Sequence, residues 1–268
     1  MSYYNAFLKT MGNTGGGDTP TPPTPPTPVG YTEPFYVKNS STSTTGKTLS
    51  ITKTGNAAPT LTIEKSLDGE NWVTMGTTSY PTSITASMPD NGGKLYLRCK
   101  TDAWTAATNY TYTNSIYVDG NFDIGGNIMS LVYGSDFTGT ETTFPNNVTR
   151  VFEMLFYENA TIFDASELIL PATTLTGACY RSMFAKSSLR SAPRFTIDVT
   201  PIDHAFDQMF SNCSHISYIV CYFTNVTEGN MYAWLSGVSS NGNFIKKSGV
   251  EWSRGISGIP TNWNVIEM

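Results

Sequence analysis

The chain has 268 residues, enough for two modest domains, and only 14% of them are charged. Its formal net charge is −5, and aromatic residues make up 13% of the composition. Nucleic-acid binding needs clustered lysines and arginines, and because the sequence has no such run, we expect no nucleic-acid partner. No stretch approaches the roughly 18 apolar residues of a membrane span, so we also expect no membrane insertion.

The first twelve residues carry an apolar pattern with helical spacing. Tyr3, Tyr4, Phe7, Leu8 and Met11 fall at positions i, i+1, i+4, i+5 and i+8. Such a short segment is not stable as an isolated helix, so it is either a frayed tail or a docking peptide that becomes ordered on a partner such as a capsid shell. We favour a capsid-anchoring peptide at 1–12, because five large apolar residues in a dispensable tail would promote aggregation. The segment also lacks the basic and apolar regions of a secretory signal.

Residues 13–30 form a linker in two parts. A glycine triplet at 15–17 supplies a hinge, and residues 19–28 consist of threonine and proline. Proline-rich sequence adopts extended polyproline II at about 3.1 Å per residue, which gives a spacer of roughly 30 Å. An SH3-type ligand is the competing interpretation, but the stretch has no basic flanks. The linker therefore predicts a stalk between the N-terminal peptide and the later domains.

Residues 31–125 alternate apolar and polar side chains with a period of two. Turn signals at 68–69 and 90–93 separate the short alternating runs, which are 49–51, 61–63, 95–99, 110–112 and 116–118. Several short strands spaced by turns predict an antiparallel β-sandwich. The run 63–72 resembles a hairpin of immunoglobulin-like or fibronectin-like modules, and we expect Trp72 and Cys99 in the core of the sandwich.

Residues 148–238 repeat a phrase built on an apolar pair. The pairs end at residues 156, 184, 210 and 235, so the period is 25 to 28 residues. This period is typical of leucine-rich repeats, in which stacked units share a core because a single unit cannot bury its apolar face. Each unit is expected to contain a short helix, a turn and an extended segment, with Cys179, Met183 and Phe184 on one helical face.

The second unit carries a family resemblance. Its phrases Leu170-Pro-Ala-Thr-Thr-Leu175, Cys179-Tyr-Arg-Ser-Met183-Phe184 and Leu189-x-x-Ala192-Pro193 resemble the BspA-like leucine-rich repeats of gut Bacteroides and their phages. The ending at 255–265 is similar to the way those domains close. The resemblance implies a BspA-type leucine-rich-repeat solenoid with a C-terminal cap at 126–268. The whole chain is then mainly β with short helices, an immunoglobulin-like antiparallel β-sandwich followed by the solenoid.

The order of these segments predicts a structural protein of a bacteriophage virion. An anchor, a stalk and two outer domains describe a head fibre or capsid decoration, and the resemblance of the repeats implies that the phage is a crAss-like or related Bacteroides phage. Such a protein would be made in the host cytoplasm and carried on the virion surface. A tail-associated receptor-binding adhesin and a bacterial BspA-type surface adhesin are the alternatives.

The partners expected for such a protein are of three kinds. The N-terminus would contact the major capsid protein or another virion protein. Further copies of the chain would form a homo-oligomer, for which a trimer is one candidate. The outer domains would contact host-surface or mucosal glycans weakly and gain strength from many copies on one particle. The candidate glycan-stacking residues are the aromatic side chains Trp104, Tyr110, Tyr112 and Trp252, although each is more often a packing residue.

Sequence motifs for metal binding or acid–base chemistry are weak. His204 and His215 are the only histidines, and both lie inside the repeats, where a structural role is the simpler interpretation. The phrase Asp119-Gly-Asn121-Phe-Asp123 imitates the start of a calcium loop, but Ile124 and Ser130 occupy the positions of the required glycine and glutamate. We interpret it as a turn between domains and expect no metal and no cofactor.

Two further sets of residues could do chemistry. Glu141, Asp164 and Glu167 could supply paired carboxylates for glycoside cleavage, although isolated acidic residues are ordinarily solvated. The cysteines have no CxxC spacing, and three of them occupy core positions of the repeats. They are Cys99, Cys179, Cys213 and Cys221. We therefore expect buried, reduced thiols, no zinc site and no enzyme activity.

Overall fold

A computed structural model describes residues 31–42, 46–53, 60–78, 82–99, 114–145, 148–226 and 230–268. This part of the chain is mainly β, as the sequence predicted. The strands are β1 Tyr36–Asn39, β2 Thr48–Lys53, β3 Leu61–Ser66, β4 Val73–Thr78, β5 Ser83–Ser87, β6 Lys94–Cys99, β7 Asn114–Val118, β8 Phe122–Asn127, β9 Ile162–Ile169, β10 Tyr218–Val220, β11 Asn243–Lys246 and β12 Asn264–Glu267. A short helix, α1 Ser130–Tyr133, runs into the 3-10 turn Gly134–Asp136. Within these ranges no helix has the length and apolar character needed to cross a membrane.

Strands β1 to β9 form two sheets. The larger sheet has six strands in the order β4-β3-β6-β1-β8-β9, and the smaller has three in the order β5-β2-β7. The alternation read from the sequence is present in the strands, since Leu95, Leu97 and Cys99 of β6 are buried while the residues between them are not. Inward side chains of both sheets belong to one hydrophobic core. The predicted burial of Cys99 and of the other three cysteines is confirmed.

Trp72 is not a core residue, and that prediction was wrong. The side chain is half-buried just before β4, and the Arg98 guanidinium lies over its ring, 4.4 Å from the centroid. Arg98 also donates a 2.7 Å hydrogen bond to Glu64. Because the alternation of β6 places Arg98 on the outer face of the large sheet, the indole covers that face through a cation–π contact.

The repeated phrases form successive turns, where the sequence predicted short helices. In the first unit, the N–H groups of Phe152, Met154 and Phe156 donate across to the second unit, with N–O distances of 2.8–3.0 Å. The intervening N–H groups close turns inside their own unit, as Tyr157 does on the carbonyl of Met154 at 3.1 Å. An α-helix would use all of these amides internally. In the turns, half of these N–H groups instead donate to carbonyls of the neighbouring unit. The second and third units are joined in the same way.

Aromatic side chains of the turns stack in two columns that cross the units. The first column is Phe152, Tyr180 and Phe206, with centroid spacings of 6.0 and 5.5 Å, and the second is Phe156, Phe184 and Phe210, with spacings of 5.4 and 5.5 Å. All six rings are at most 2% exposed. Stacked aromatic pairs stabilise by about 0.5–1.5 kcal/mol each beyond their burial. The columns and the backbone ladder therefore hold successive units in register.

The sheets and the repeats are joined through β8. This strand pairs antiparallel with β1 on one side and parallel with β9 on the other. The predicted domain boundary between residues 125 and 126 thus falls inside one strand of the large sheet. The segment 119–121 connects β7 of the small sheet to β8, and the Asp119 carboxylate accepts the N–H of Thr48 at 2.8 Å. One hydrophobic core extends from the two sheets into the repeats.

Candidate functional site

A cleft of about 410 Å³ lies between the large sheet and the repeats. Its floor is apolar and comes from the repeats, with contributions from Tyr180, Phe195, Val199, Phe206 and Phe223. Its rim is charged and is formed by Glu33, Lys94, Glu167 and Arg194. A concave apolar surface bordered by a few polar groups is the usual form of a small-ligand site. The cleft is therefore the candidate functional site.

Tyr36 of β1 forms the wall of the cleft on the side of the large sheet. Its hydroxyl donates to Glu167 at 2.5 Å, and the ammonium of Lys94 lies 3.8 Å from the centroid of its ring. Lys94 also pairs with Glu33 at 2.6 Å. Burial and the hydrogen bond to Glu167 raise the pKa of Tyr36 well above its usual value, so the phenol stays a donor at neutral pH. Gly125 leaves the space that this arrangement requires, because a Cβ there would collide with the Tyr36 hydroxyl.

Two polar groups at the cleft make no hydrogen bond or ion pair with the described residues. The Tyr180 hydroxyl is buried and makes no hydrogen bond to that part of the chain, although its ring is fixed in the first column. The Arg194 side chain is half-buried and makes neither an ion pair nor a hydrogen bond with the described residues. Burial raises the pKa of Tyr180 well above its usual value, which keeps it a neutral donor. The lining of the cleft therefore contains a buried hydroxyl and a guanidinium that make no hydrogen bond or ion pair with the described residues.

Most of the site residues predicted from the sequence lie outside the described part of the chain. They are Tyr3, Tyr4, Phe7, Leu8, Met11, Trp104, Tyr110 and Tyr112. Trp252 is described, and it stacks on Trp234 with a centroid distance of 5.7 Å and contacts Phe244 at 4.9 Å. One face of Trp252 is thus covered by the protein itself, and its role in glycan stacking stays a prediction.

The carboxylates considered for glycoside cleavage are each held by a different local partner. Glu141 accepts the backbone N–H groups of Thr138 and Gly139 at 2.6 and 2.9 Å. Asp164 accepts the N–H of Ser166 at 2.7 Å, and Glu167 accepts the Tyr36 hydroxyl. Across the described ranges, no group of three histidine, cysteine, aspartate or glutamate side chains is placed to hold a metal ion.

Sequence reasoning missed the cleft, because its residues come from segments far apart in the chain. Lys94 and Arg194 are about one hundred positions apart and meet only when β9 joins the large sheet to the repeats. Glu167 was considered only as a catalytic carboxylate. The available signal was Arg194 itself, a charged residue that follows the buried Ala192-Pro193 pair and precedes Phe195 in the repeat.

Tyr180→Phe is expected to leave the free energy of unfolding unchanged or to raise it. The change removes a buried hydroxyl without a described partner, a group that costs roughly 1–3 kcal/mol when unsatisfied, and keeps the stacked ring. Tyr36→Phe is the matched control, and it should lower the free energy of unfolding by about 1 kcal/mol because the hydroxyl bonded to Glu167 is lost. Urea denaturation of both variants measures the difference. Equal losses would show that Tyr180 has a partner in solution.

Asp123→Asn is expected to raise the melting temperature at pH 7. Asp123 of β8 lies opposite Asp164 of β9 and 3.9 Å from Lys38. Burial, followed by the charge of Asp164, raises the pKa of Asp123 above its usual value of 3.8. The folded state therefore favours the protonated form, and stability is lost as the pH rises from the usual value through the raised one. The variant should lose this part of the pH dependence in thermal denaturation.

Asp68→Asn is a control for which the expected change in melting temperature has the opposite sign. Hydrogen bonds from Asn71, Ser66 and the N–H of Glu70 lower the pKa of Asp68 below its usual value. Its ionised form is thus favoured by folding, and this stabilisation is present at neutral pH and lost as the pH falls through the lowered pKa. The Asp68 variant should lower the melting temperature at pH 7. A lower melting temperature for the Asp123 variant as well would contradict the raised pKa.

Comparisons with protein-family models, with curated proteins and with solved structures find no match to this chain. Its function is therefore inferred from the order of its segments and from the geometry of the cleft.

Proposed function

We propose that the protein is a structural component of a bacteriophage virion, a head fibre or capsid decoration. The peptide at 1–12 would dock on the major capsid protein or another virion protein, and the linker at 13–30 would hold the outer regions away from the shell. The observation that carries the proposal is the order of the segments, in which an apolar N-terminal stretch and a threonine- and proline-rich run precede two regions that share one core. The protein is then a binding and display protein and has no catalytic role.

We propose that residues 31–125 are an immunoglobulin-like β-sandwich. The support is the strand pairing, because β2 pairs with β5 and β3 pairs with β6, as strands B and E and strands C and F do in that fold. The flanking strands differ from the usual order. β1 lies beside β6, where the last strand of the fold belongs, and β7 lies beside β2, where the first strand belongs.

We propose that residues 126–268 are a BspA-type leucine-rich-repeat solenoid with a C-terminal cap. The backbone ladder and the two aromatic columns support it, since both recur with the period of the sequence repeat. Parallel bridges join Asp164 to Ser191 and Phe195 to Cys221, and the parallel strands β10, β11 and β12 follow. A parallel extended segment in each unit is the arrangement of leucine-rich repeats.

A tail-associated receptor-binding adhesin is the second candidate, because the cleft supports it as well as it supports a head fibre. Both roles need a surface that faces the host and binds its glycans. In support, the cleft has an apolar floor and polar groups that make no hydrogen bond with the described residues. Both also gain from a homo-oligomer, with a trimer as one candidate, because many weak contacts on one particle add up. The attachment point on the virion separates the two roles.

Co-sedimentation with purified capsids that lack this protein tests the proposal. The full chain and a chain shortened by residues 1–29 are compared with the double variant Phe7→Asp, Leu8→Asp. A matched control, Thr21→Asp with Thr24→Asp, adds the same charge to the linker. Only the full chain and the linker control should pellet. Pelleting of the shortened chain would refute the N-terminal anchor, and failure of every chain to pellet would refute the capsid role.

A further inference from the structure

We propose that the cleft binds a carboxylate-bearing sugar residue, such as a uronic acid at the end of a host-surface glycan. The inference rests on the proposed role in glycan adhesion and specifies the chemistry of the ligand. It is carried by two observations at one cavity: neither the guanidinium of Arg194 nor the buried hydroxyl of Tyr180 makes a hydrogen bond or an ion pair with the described residues.

The carboxylate is indicated by the charges around the cleft. Lys94 pairs with Glu33 and lies over the ring of Tyr36, while Glu167 accepts the hydroxyl of the same tyrosine. Arg194 is the remaining cation of the lining, and it has no ion pair with the described residues. A guanidinium binds a carboxylate through two parallel hydrogen bonds, which makes it well suited to a single anionic group.

A single negative charge fits better than a phosphate or a multiply charged group. The carboxylates of Glu33 and Glu167 are both at the rim and would repel additional negative charge. A single carboxylate can lie at Arg194 while the rest of the ligand remains uncharged. The electrostatics of the cleft therefore favour a monoanionic ligand.

The sugar is indicated by the mixture of donors and acceptors above an aromatic floor. A pyranose ring presents hydroxyl groups that both donate and accept, and here Tyr180 donates while the exposed Glu167 accepts. The C–H face of the ring can lie against Leu170 and Ile197, which are partly exposed apolar side chains of the lining. A fatty carboxylate would use the floor but would leave the polar rim without partners, which is costly. The volume of about 410 Å³ lies in the range of small-ligand sites.

Isothermal titration of the full chain with methyl β-D-glucuronide tests the proposal, with methyl β-D-glucoside as the neutral analogue and decanoate as the apolar carboxylate. The glucuronide should bind at least about tenfold more tightly than the other two, because a hydrogen-bonded ion pair contributes more than one factor of ten in affinity. Arg194→Gln should weaken glucuronide binding by a similar factor. Arg194→Lys should retain part of the affinity, and Tyr180→Phe should weaken binding severalfold.

Arg190→Gln is the matched control, since Arg190 lies in the same unit but covers the ring of Phe163 instead of lining the cleft. It should leave glucuronide binding unchanged. Equal binding of glucoside and glucuronide, tighter binding of decanoate, or full affinity in the Arg194→Gln variant would each overturn the inference. Tyr180→Phe keeps the core intact and so gives a second test if an Arg194 variant fails to fold.

The capsid experiment is independent of the cleft. A chain that pellets with capsids but binds no glucuronide overturns the ligand assignment and leaves the virion role in place. A chain that binds glucuronide but does not pellet with capsids overturns the virion role and leaves the ligand assignment in place.

Discussion

Replacing Phe184 with alanine is expected to lower the free energy of unfolding by about 3–5 kcal/mol. Phe184 is fully buried in the middle of the second column, between Phe156 at 5.4 Å and Phe210 at 5.5 Å. The change removes the ring from the core, leaves a cavity, and breaks two stacked pairs at once. Since the ring joins three successive units, the loss should appear as a single shifted transition in urea denaturation followed by circular dichroism.

Phe163→Ala is the control that separates the contribution of the aromatic column from the general cost of removing a phenylalanine ring. Phe163 of β9 is half-buried, and its ring is covered by Arg190 at 4.6 Å instead of by a second aromatic ring of the columns. We expect a smaller loss of about 1–2 kcal/mol, because less apolar surface is re-exposed and only a cation–π contact is broken. Equal losses in the two variants would mean that the columns do not hold the repeats together.

The repeat period was readable from the sequence, whereas the backbone of each unit was not. Phe152 and Phe156 are four residues apart, as are Phe206 and Phe210, and this spacing fits both a helix of 3.6 residues per turn and a chain of four-residue turns. The turns require left-handed backbone at non-glycine residues such as Met154 with φ 57°. Hydrogen bonds to the next unit offset that strain, and a single unit considered alone does not contain them.

In the sheets, the alternation of apolar and polar residues was sufficient to predict several strands but not every pairing between strands. The runs at 49–51, 61–63, 95–99 and 116–118 lie in β2, β3, β6 and β7, because a period of two with β-branched and aromatic residues has few competing structures. The parallel pairing of β8 with β9 was not predicted, since 34 residues lie between the two strands. The prediction that Trp72 lies in the core was wrong because hydrophobicity alone does not distinguish a core residue from one that packs over an arginine.

Gly126→Ala is expected to destabilise the protein by about 3 kcal/mol or more. Gly126 lies in β8 with φ +73°, where a side chain is strained, and a Cβ would run into the carbonyl group of Pro34. That carbonyl is backbone, so it cannot move aside as a flexible side chain would. The neighbouring residue Asn127 bridges Pro34 and donates its N–H to the carbonyl of Glu33 at 2.8 Å. The variant therefore pushes β8, the strand that joins the large sheet to the repeats, away from the segment that precedes β1.

Gly249→Ala is the matched control, because it has the same φ of +73° and no atom within 4 Å of the added Cβ. It should cost only about 1 kcal/mol for the left-handed backbone, so the difference between the variants isolates the collision with Pro34. Hydrogen exchange then shows how far the damage spreads. If the shared core makes the sheets and the repeats one cooperative unit, Gly126→Ala should speed exchange of the core amides of β6 and of the ladder amides of Phe152 and Phe156 together. Faster exchange on only one side would mean that the two regions unfold independently despite the strand they share.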